Sequence, residues 1–376
     1  MSKSDNITTA KKRLSAFLDG ESGFAAYRIP GEEVVRIFSI GEVSTFKLED
    51  FCPENFTGAF VVAPYDASRV FALWPLGGNA LVPIGDHHPI TAGNAKEFIC
   101  PKENESLRKS YSTAFSIIKD ALDREIADKV VLARRMEVSD VSADVLPGVF
   151  EQLCLSYSNA FVYFIDHPVI GRWMGASPES FLEKEGDYLK TVSLAATRGS
   201  KMHSEDWDMK ELEEQSLVSV YVDEVLKRHG VADFNKTGPV PLRAGDMIHL
   251  RTSYQFAESD LKIGTGTFLK ALHPTPAVGG YPKEKALALI KQAELLDRGL
   301  YSGFLGPVFK NAFRFFVNIR CMKLEENKAI LYLGGGLTRD SKEPQEWEET
   351  RLKAGTLFSV LHSVKQNHYN ESTHLR

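Results

Sequence analysis

Hydrophobic positions along the chain follow two patterns, and the switches between them mark the elements. From residue 24 to 92, apolar residues come in short clusters such as Val34-Val35-Arg36-Ile37-Phe38 and Phe60-Val61-Val62-Ala63, with Gly, Pro and Asp between them. Strict alternation is missing, but clusters of this length and type predict strands. From 103 to 127 the spacing becomes helical: Leu107, Tyr111, Ala114, Ile117, Ile118, Leu122 and Ile126 share one face. Beyond it, strands are predicted over 129–138, 160–165, 172–175 and 181–194, with a helix over 142–156 after the first of them. A long helix is predicted over 206–228. Further strands fall over 247–256, 303–308, 313–324 and 329–333, and further helices over 268–272, 283–296 and 344–364. Strands in consecutive groups, with helices between the groups, predict an α+β protein with large, mainly antiparallel sheets packed with helices. No linker rich in Pro, Gly or Ser divides the chain. Residues 1–100 therefore read as an N-terminal β-rich part of the same domain as 101–376.

Composition narrows the class. The 376 residues carry 45 basic and 50 acidic side chains, a net charge of -5, with no basic stripe and no block of like charge. Nucleic acid is therefore not an expected partner. Cys52, Cys100, Cys154 and Cys321 are dispersed and form no CxxC, which suits reduced thiols in a cytosolic protein. The start is polar, without the apolar core of a signal peptide, and no apolar run approaches the roughly 20 residues that span a bilayer. The expectation is a soluble, cytoplasmic protein with no membrane partner.

Two titratable groups open the chemical reading. Lys129 begins the run Lys129-Val130-Val131-Leu132-Ala133-Arg134, and Glu179 follows a proline in Gly175-Ala176-Ser177-Pro178-Glu179. Both fall at predicted strand ends rather than on a solvated face. A lysine is a base near neutrality only if desolvation or a positive neighbour lowers its pKa, and a carboxyl is an acid there only if burial raises its own. The pair suggests chemistry that moves one proton in and another out.

Other candidates have two readings each. Glu211 and Glu214 share a helix face, Glu346 and Glu349 repeat that spacing, and Lys353 lies four beyond Glu349. The carboxylates could hold a hard cation such as Mg²⁺, or form a solvated face with a Glu349–Lys353 ion pair; spacing alone favours the second. Gly334-Gly335-Gly336 after an apolar run is either a turn or a backbone surface for an anion. Arg320, in an apolar stretch, needs an anionic partner if buried, from substrate or from protein. His249 and His273 beside apolar residues are more often structural than functional. No dinucleotide, Walker, HExxH or GxSxG motif is present.

Taken in order, several segments resemble the chorismate-utilising enzymes, and isochorismate synthases most closely. They are Asp128-Lys129-Val130-Val131-Leu132-Ala133-Arg134, Gly175-Ala176-Ser177-Pro178-Glu179, Leu194-Ala195-Ala196-Thr197-Arg198, Leu272-His273-Pro274-Thr275-Pro276-Ala277, Arg298-Gly299-Leu300-Tyr301-Ser302-Gly303, Ile319-Arg320-Cys321, Gly334-Gly335-Gly336 and Glu346-Trp347-Glu348-Glu349-Thr350. The resemblance covers residues 129 to the last helix and implies the fold of anthranilate synthase component I. It implies that Lys129 activates water for attack at C2 of chorismate and that Glu179 protonates the departing C4 hydroxyl. It implies Mg²⁺ on Glu214 and Glu349, with Glu211 and Glu346 holding the metal's waters. Arg320, Gly336 and Lys353 match positions that bind the substrate carboxylates, Gly334 belongs to the substrate-binding set, Ala196 and Thr197 match a contact near the ring, and His249 an active-site histidine. Tyr301 joins the substrate-binding set. One departure stands out: many relatives have glycine where this chain has Ala196.

Within the family, Lys129 argues against the ammonia-using anthranilate and aminodeoxychorismate synthases, so no glutaminase subunit is expected. Salicylate synthases share Lys129 and Glu179, and Tyr301 resembles some of those lyases. Ala277 in Pro274-Thr275-Pro276-Ala277 instead looks like the isochorismate-forming members. The resemblance favours a monomeric isochorismate synthase, with salicylate synthase as the alternative and a non-catalytic chorismate-binding subunit as a more distant one. Menaquinone and siderophore synthesis are both open as the destination.

Overall fold

A computed structural model of the chain describes residues 9–20, 22–85, 104–199, 207–244 and 247–374. Two antiparallel sheets form its centre. The first runs, in spatial order, β5 (Ala80–Pro83), β2 (Val34–Phe46), β1 (Phe24–Arg28), β7 (Phe161–His167), β8 (Gly171–Ser177), β16 (Cys321–Glu325), β17 (Lys328–Leu337), β6 (Lys129–Ser139) and β13 (Gly280–Tyr281). The second runs β11 (Asn235–Ala244), β12 (Met247–Ala257), β10 (Tyr188–Gly199), β9 (Ser180–Glu185), β15 (Ala312–Val317), β14 (Phe304–Phe309), β3 (Phe60–Ala63) and β4 (Val70–Pro75). It closes on β2, whose first half pairs in the first sheet and whose second half pairs with β4.

The sheets pack face to face. Tyr27, Phe161, Tyr163, Ile330 and Tyr332 of the first meet Phe60, Val62, Leu305 and Phe316 of the second in one apolar layer. The outer face of the first sheet, with Phe24, Val162, Phe164, Leu331 and Leu333, is covered by α1 (Ala10–Leu18), α3 (Leu146–Ser156) and α7 (Glu343–His374). The outer face of the second, with Phe304, Phe313 and Phe315, is covered by α4 (Met209–Arg228) and α5 (Thr265–Leu272). Helices α2 (Glu105–Asp123) and α6 (Lys283–Ala293) pack against β6. Strands buried on both faces need no polar positions, which is why they read as apolar clusters rather than as alternation. The α+β, mainly antiparallel expectation holds.

The departures from the predicted elements have local causes. The strand expected over 181–194 is two, β9 and β10, divided by a turn at Gly186, which has φ +59°. The strand expected over 313–324 is also two, β15 and β16, and they lie in different sheets. Arg320, between them, has φ +50°. Gly334, Gly335 and Gly336 are no turn: they lie inside β17, paired with Ala133, Leu132 and Val131 of β6. Strand β11 was not expected because Gly238-Pro239-Val240-Pro241 reads as loop; it sits at the sheet edge, where proline is tolerated. Helix α1 was also unanticipated. Helix α6 ends at Ala293, short of residue 296. The starts expected at 103 and 206, and Cys100, lie outside the described residues.

Candidate active site

A cleft opens where the β6–β17 side of the first sheet meets β10 and β12 of the second, with α4 and α7 as its remaining walls. Lys129, Glu179, Ala196, Glu214, His249, Tyr301, Arg320, Gly334, Gly336 and Lys353 all line it. Residues scattered over more than half of the chain are thus brought to one place. Its apolar lining includes Val131, Leu194, Ala277, Val278, Ile319 and Leu333.

Glu179 and Arg320 sit where the chain crosses between sheets. Strand β8 passes into β9 through Pro178-Glu179, and β15 passes into β16 through residues 318–320. The two crossings are tied together. The Ala176 N–H donates to the Arg320 carbonyl at 3.1 Å and the Val317 N–H to the Glu179 carbonyl at 3.0 Å. Ser177 Oγ donates to the Val317 carbonyl at 2.6 Å and accepts from the Glu179 N–H at 3.3 Å. Gly175 lets this happen, because a Cβ there would lie 2.8 Å from the Tyr163 ring and 2.9 Å from Cys321 Cβ.

Burial sets the protonation at this crossover. Glu179 is 4% exposed, His249 6% and Arg320 9%. Burial pushes the Glu179 carboxyl up to about 8, although Lys129, Arg320 and Lys353 pull the other way. The carboxyl is therefore protonated at neutrality, which a general acid requires. Burial, then Arg320 and Lys353, push His249 down to about 3. Arg320 is lowered by burial to about 10 and keeps its charge at neutrality. Its described hydrogen bond goes to His249 rather than to a protein carboxylate.

The opposite wall is built from ion pairs. Lys129, only 1% exposed, lies 2.8 Å from Glu214 on α4. Lys353 on α7 lies 2.7 Å from Glu349 and donates to the Gly334 carbonyl at 3.0 Å. Burial works against the Lys353 charge, but Glu349 and Glu214 outweigh it and hold its pKa above the usual value. The glycines of β17 make room for this wall. A Cβ at Gly336 would lie 2.8 Å from both Glu214 Oε1 and Lys129 Cε, and one at Gly335 would lie 3.6 Å from Glu346 Oε2 and 4.0 Å from Glu349 Oε1. Glu214, Glu346 and Glu349 thus flank two consecutive residues. They are not gathered as a preformed cage: among the described residues no three His, Cys, Asp or Glu side chains stand together as ion ligands. Glu211 is used locally, accepting from the Asp208 N–H at 3.0 Å in a capping box that starts α4.

Ala196 is at the register shift of β10 against β12 and has φ +57°. That left-handed conformation costs an alanine about 1–2 kcal/mol relative to glycine, which is the physical reason a glycine suits the position. The Thr197 side chain lies outside the described residues. Tyr301 is buried, and its hydroxyl is pushed up to about 12, chiefly by burial. His273 is absent from the cleft lining; its Nε2 is 2.8 Å from the Tyr65 carbonyl, and its ring packs edgewise against Phe181 and Phe304.

Sequence reasoning assigned no role to three supports. Ser177 locks the crossover. Gln215 ties α4 to the second sheet through Ser193 and Thr252. Glu294 and Arg298, a buried pair, complete the open edge of β6, with Glu294 accepting from Ala133 N–H at 2.7 Å and Arg298 donating to the Val131 carbonyl at 2.8 Å. Ser177 and Arg298 fall in family-like segments, whereas Gln215 and Glu294 give no signal beyond a polar residue on a helical stretch or at its end, which many solvated positions share.

The fold and the cleft define a protein whose buried pocket brings cations and a neutral acid together. Residues 86–362 match the family of chorismate binding enzymes, and the chain belongs to that family. The vibriobactin-specific isochorismate synthase of Vibrio cholerae serotype O1 is 26% identical over 262 residues, 67% of this chain and 66% of that protein. The isochorismate synthase EntC of Escherichia coli K12 is 28% identical over 247 residues, 62% of each chain. The matched part therefore spans just under two thirds of these relatives' own length. The solved structure of MenF, the menaquinone-specific isochorismate synthase of Escherichia coli, superposes with a TM-score of 0.74, covering 96% of this chain and 93% of that one at 20% identity. Among the described residues no helix is long and apolar enough to cross a membrane.

Proposed function

We propose that the protein is an isochorismate synthase that converts chorismate reversibly to isochorismate. The observation that carries this reading is Lys129 and Glu179 lining one buried cleft, with the Glu179 carboxyl held protonated up to about pH 8. Lys129 takes a proton from the water that attacks C2 of the ring. Glu179 delivers its proton to the C4 hydroxyl as that group departs. Each transfer contributes roughly 10²–10⁴-fold. Arg320 and Lys353, with the backbone of Gly334 and Gly336, take up the substrate's carboxylates, a charge match that supports a dianionic ligand. Holding the ring against both groups adds the advantage of orientation.

A cation fits the donor set of this wall. Glu214, Glu346 and Glu349 offer only carboxylate oxygens, the ligands Mg²⁺ prefers, and Gly335 and Gly336 leave space before them. Mg²⁺ bound there would neutralise a ring carboxylate and help to fix the substrate. Glu211 contributes by holding the first turn of α4, and with it Glu214, in place. The reading takes the enzyme to be a cytoplasmic monomer that works without a glutaminase subunit, since water rather than ammonia is the nucleophile. Relatives named as isochorismate synthases, the vibriobactin-specific one of Vibrio cholerae among them, support isochorismate as the product.

The test is incubation with chorismate and Mg²⁺ followed by separation of products. Isochorismate alone is expected. Salicylate with pyruvate would make the protein a salicylate synthase, and unchanged chorismate would remove the catalytic reading.

A further inference from the structure

Arg320 is buried, charged and partnered by a neutral group. Its Nη2 lies 2.7 Å from His249 Nε2. The other ring nitrogen, Nδ1, lies 3.1 Å from the Ala196 carbonyl oxygen. These two contacts fix where the ring proton is. A guanidinium only donates, so Nε2 accepts and carries no hydrogen. A carbonyl only accepts, so Nδ1 carries the hydrogen and donates. The ring is the neutral Nδ1–H tautomer with both nitrogens occupied. Arg320 and Lys353 are the charges that act on it, and both oppose a second proton.

We propose that His249 is a positioning residue: a fixed hydrogen-bond acceptor that aims the Arg320 guanidinium into the cleft and carries no proton in the reaction. Its tautomer is set by Ala196, which has no partner in the β10–β12 register and gives its carbonyl to the ring instead. The left-handed backbone at 196 then has a use, since it belongs to the bulge that supplies this carbonyl. A neutral acceptor suits the task better than a carboxylate. A carboxylate would neutralise the guanidinium and compete with an incoming anion, whereas imidazole orients it and leaves the whole charge for the ligand. The identity of that ligand rests on the chorismate reading; the tautomer does not.

Two measurements test this. The first uses ¹⁵N-labelled wild-type protein without substrate, following histidine ring nitrogens by NMR, with the His249 signals identified by their loss in His249→Leu. The expected result is the neutral Nδ1–H pattern, unchanged from about pH 8 to about pH 5. An Nε2–H pattern, or titration near the ordinary value of about 6.5, overturns the proposal. The second is steady-state kinetics with chorismate. Loss of a hydrogen bond to a charged group corresponds to about 10- to 100-fold, expected as a rise in KM for His249→Leu with the shape of the pH–rate profile kept. His249→Gln, whose Oε1 can stand in for Nε2, should recover at least about tenfold of that loss. A Gln variant as impaired as Leu, or a pH–rate limb that vanishes with the histidine, sinks the positioning role. If wild-type protein leaves chorismate unchanged, the functional reading fails while the NMR result still decides the tautomer.

Discussion

At the sheet crossover, Glu179 and Arg320 enter no ion pair among the described residues, whereas across the cleft Lys129 and Lys353 are each paired with a glutamate. Burial therefore decides protonation at the crossover: it raises a carboxyl, lowers a histidine and leaves a guanidinium without an anionic protein partner. On the helix-lined wall, ion pairs decide: Lys353 keeps its charge because Glu349 and Glu214 stand beside it. The difference teaches that one cleft can hold a neutral acid and several full charges within reach of one ligand. It needs only that one wall be built from backbone crossings, where the carboxyl present is buried and kept neutral, and the other from helices, which bring carboxylates at regular spacing.

The largest expected effect removes the buried lysine. Lys129→Ala should reduce turnover of chorismate by at least about 100-fold with the circular dichroism spectrum unchanged; near-normal turnover would take Lys129 out of the mechanism. Glu179→Gln follows, with a loss of similar order and a dependence on pH. In the wild type the acid form prevails below about 8, so the rate should fall as pH rises through that value. The stability effect has a definite sign. The folded-state pKa lies above the ordinary 4.5, so folding favours the protonated carboxyl. That contribution is complete at low pH and is lost as pH rises from 4.5 towards about 8. Glutamine stays neutral throughout. The Tm of Glu179→Gln should therefore gain on that of the wild type across this window, and parallel curves would mean the carboxyl is not desolvated.

A smaller effect is expected from the paired wall. Glu214→Ala and Glu349→Ala should each weaken Mg²⁺ dependence and substrate affinity together, and chelation of divalent cations should lower wild-type activity more than that of the variants. An unchanged metal titration in both variants would return these glutamates to a purely ion-pairing role. The smallest change is Ala196→Gly. Relief of the left-handed alanine, partly offset by glycine's greater unfolded-state freedom, should stabilise the protein by roughly 1 kcal/mol or less, read as the shift in urea midpoint. Destabilisation would show that the methyl packs usefully against its neighbours.

The helices and most strands were legible because each depends on neighbours in the chain. The 3.6-residue spacing of α2 and the apolar clusters of β6, β7 and β17 survive in any context that buries them. Strand ends were less legible where a conformation is imposed from outside. Nothing local distinguishes Phe315-Phe316-Val317-Asn318-Ile319-Arg320-Cys321 from one continuous strand; the break comes from two sheets competing for its halves. The glycine triplet stays open between two readings for the opposite reason. Its composition reads as a turn, yet its ten-residue strand pairs with β6 throughout, and its glycines answer to side chains from α4, α7 and β6.

By itself, the order of residues determined that the protein is α+β, that Lys129 and Glu179 fall at strand boundaries, and that the four glutamates share helix faces, since these follow from local periodicity and from motifs read in series. Only the tertiary structure decided that Glu179 is neutral, that His249 accepts rather than donates towards Arg320, and that Glu214 meets Lys129. Protonation and partnership depend on which distant groups exclude water or come within hydrogen-bonding reach, and those distances exist only once the two sheets have closed on one another.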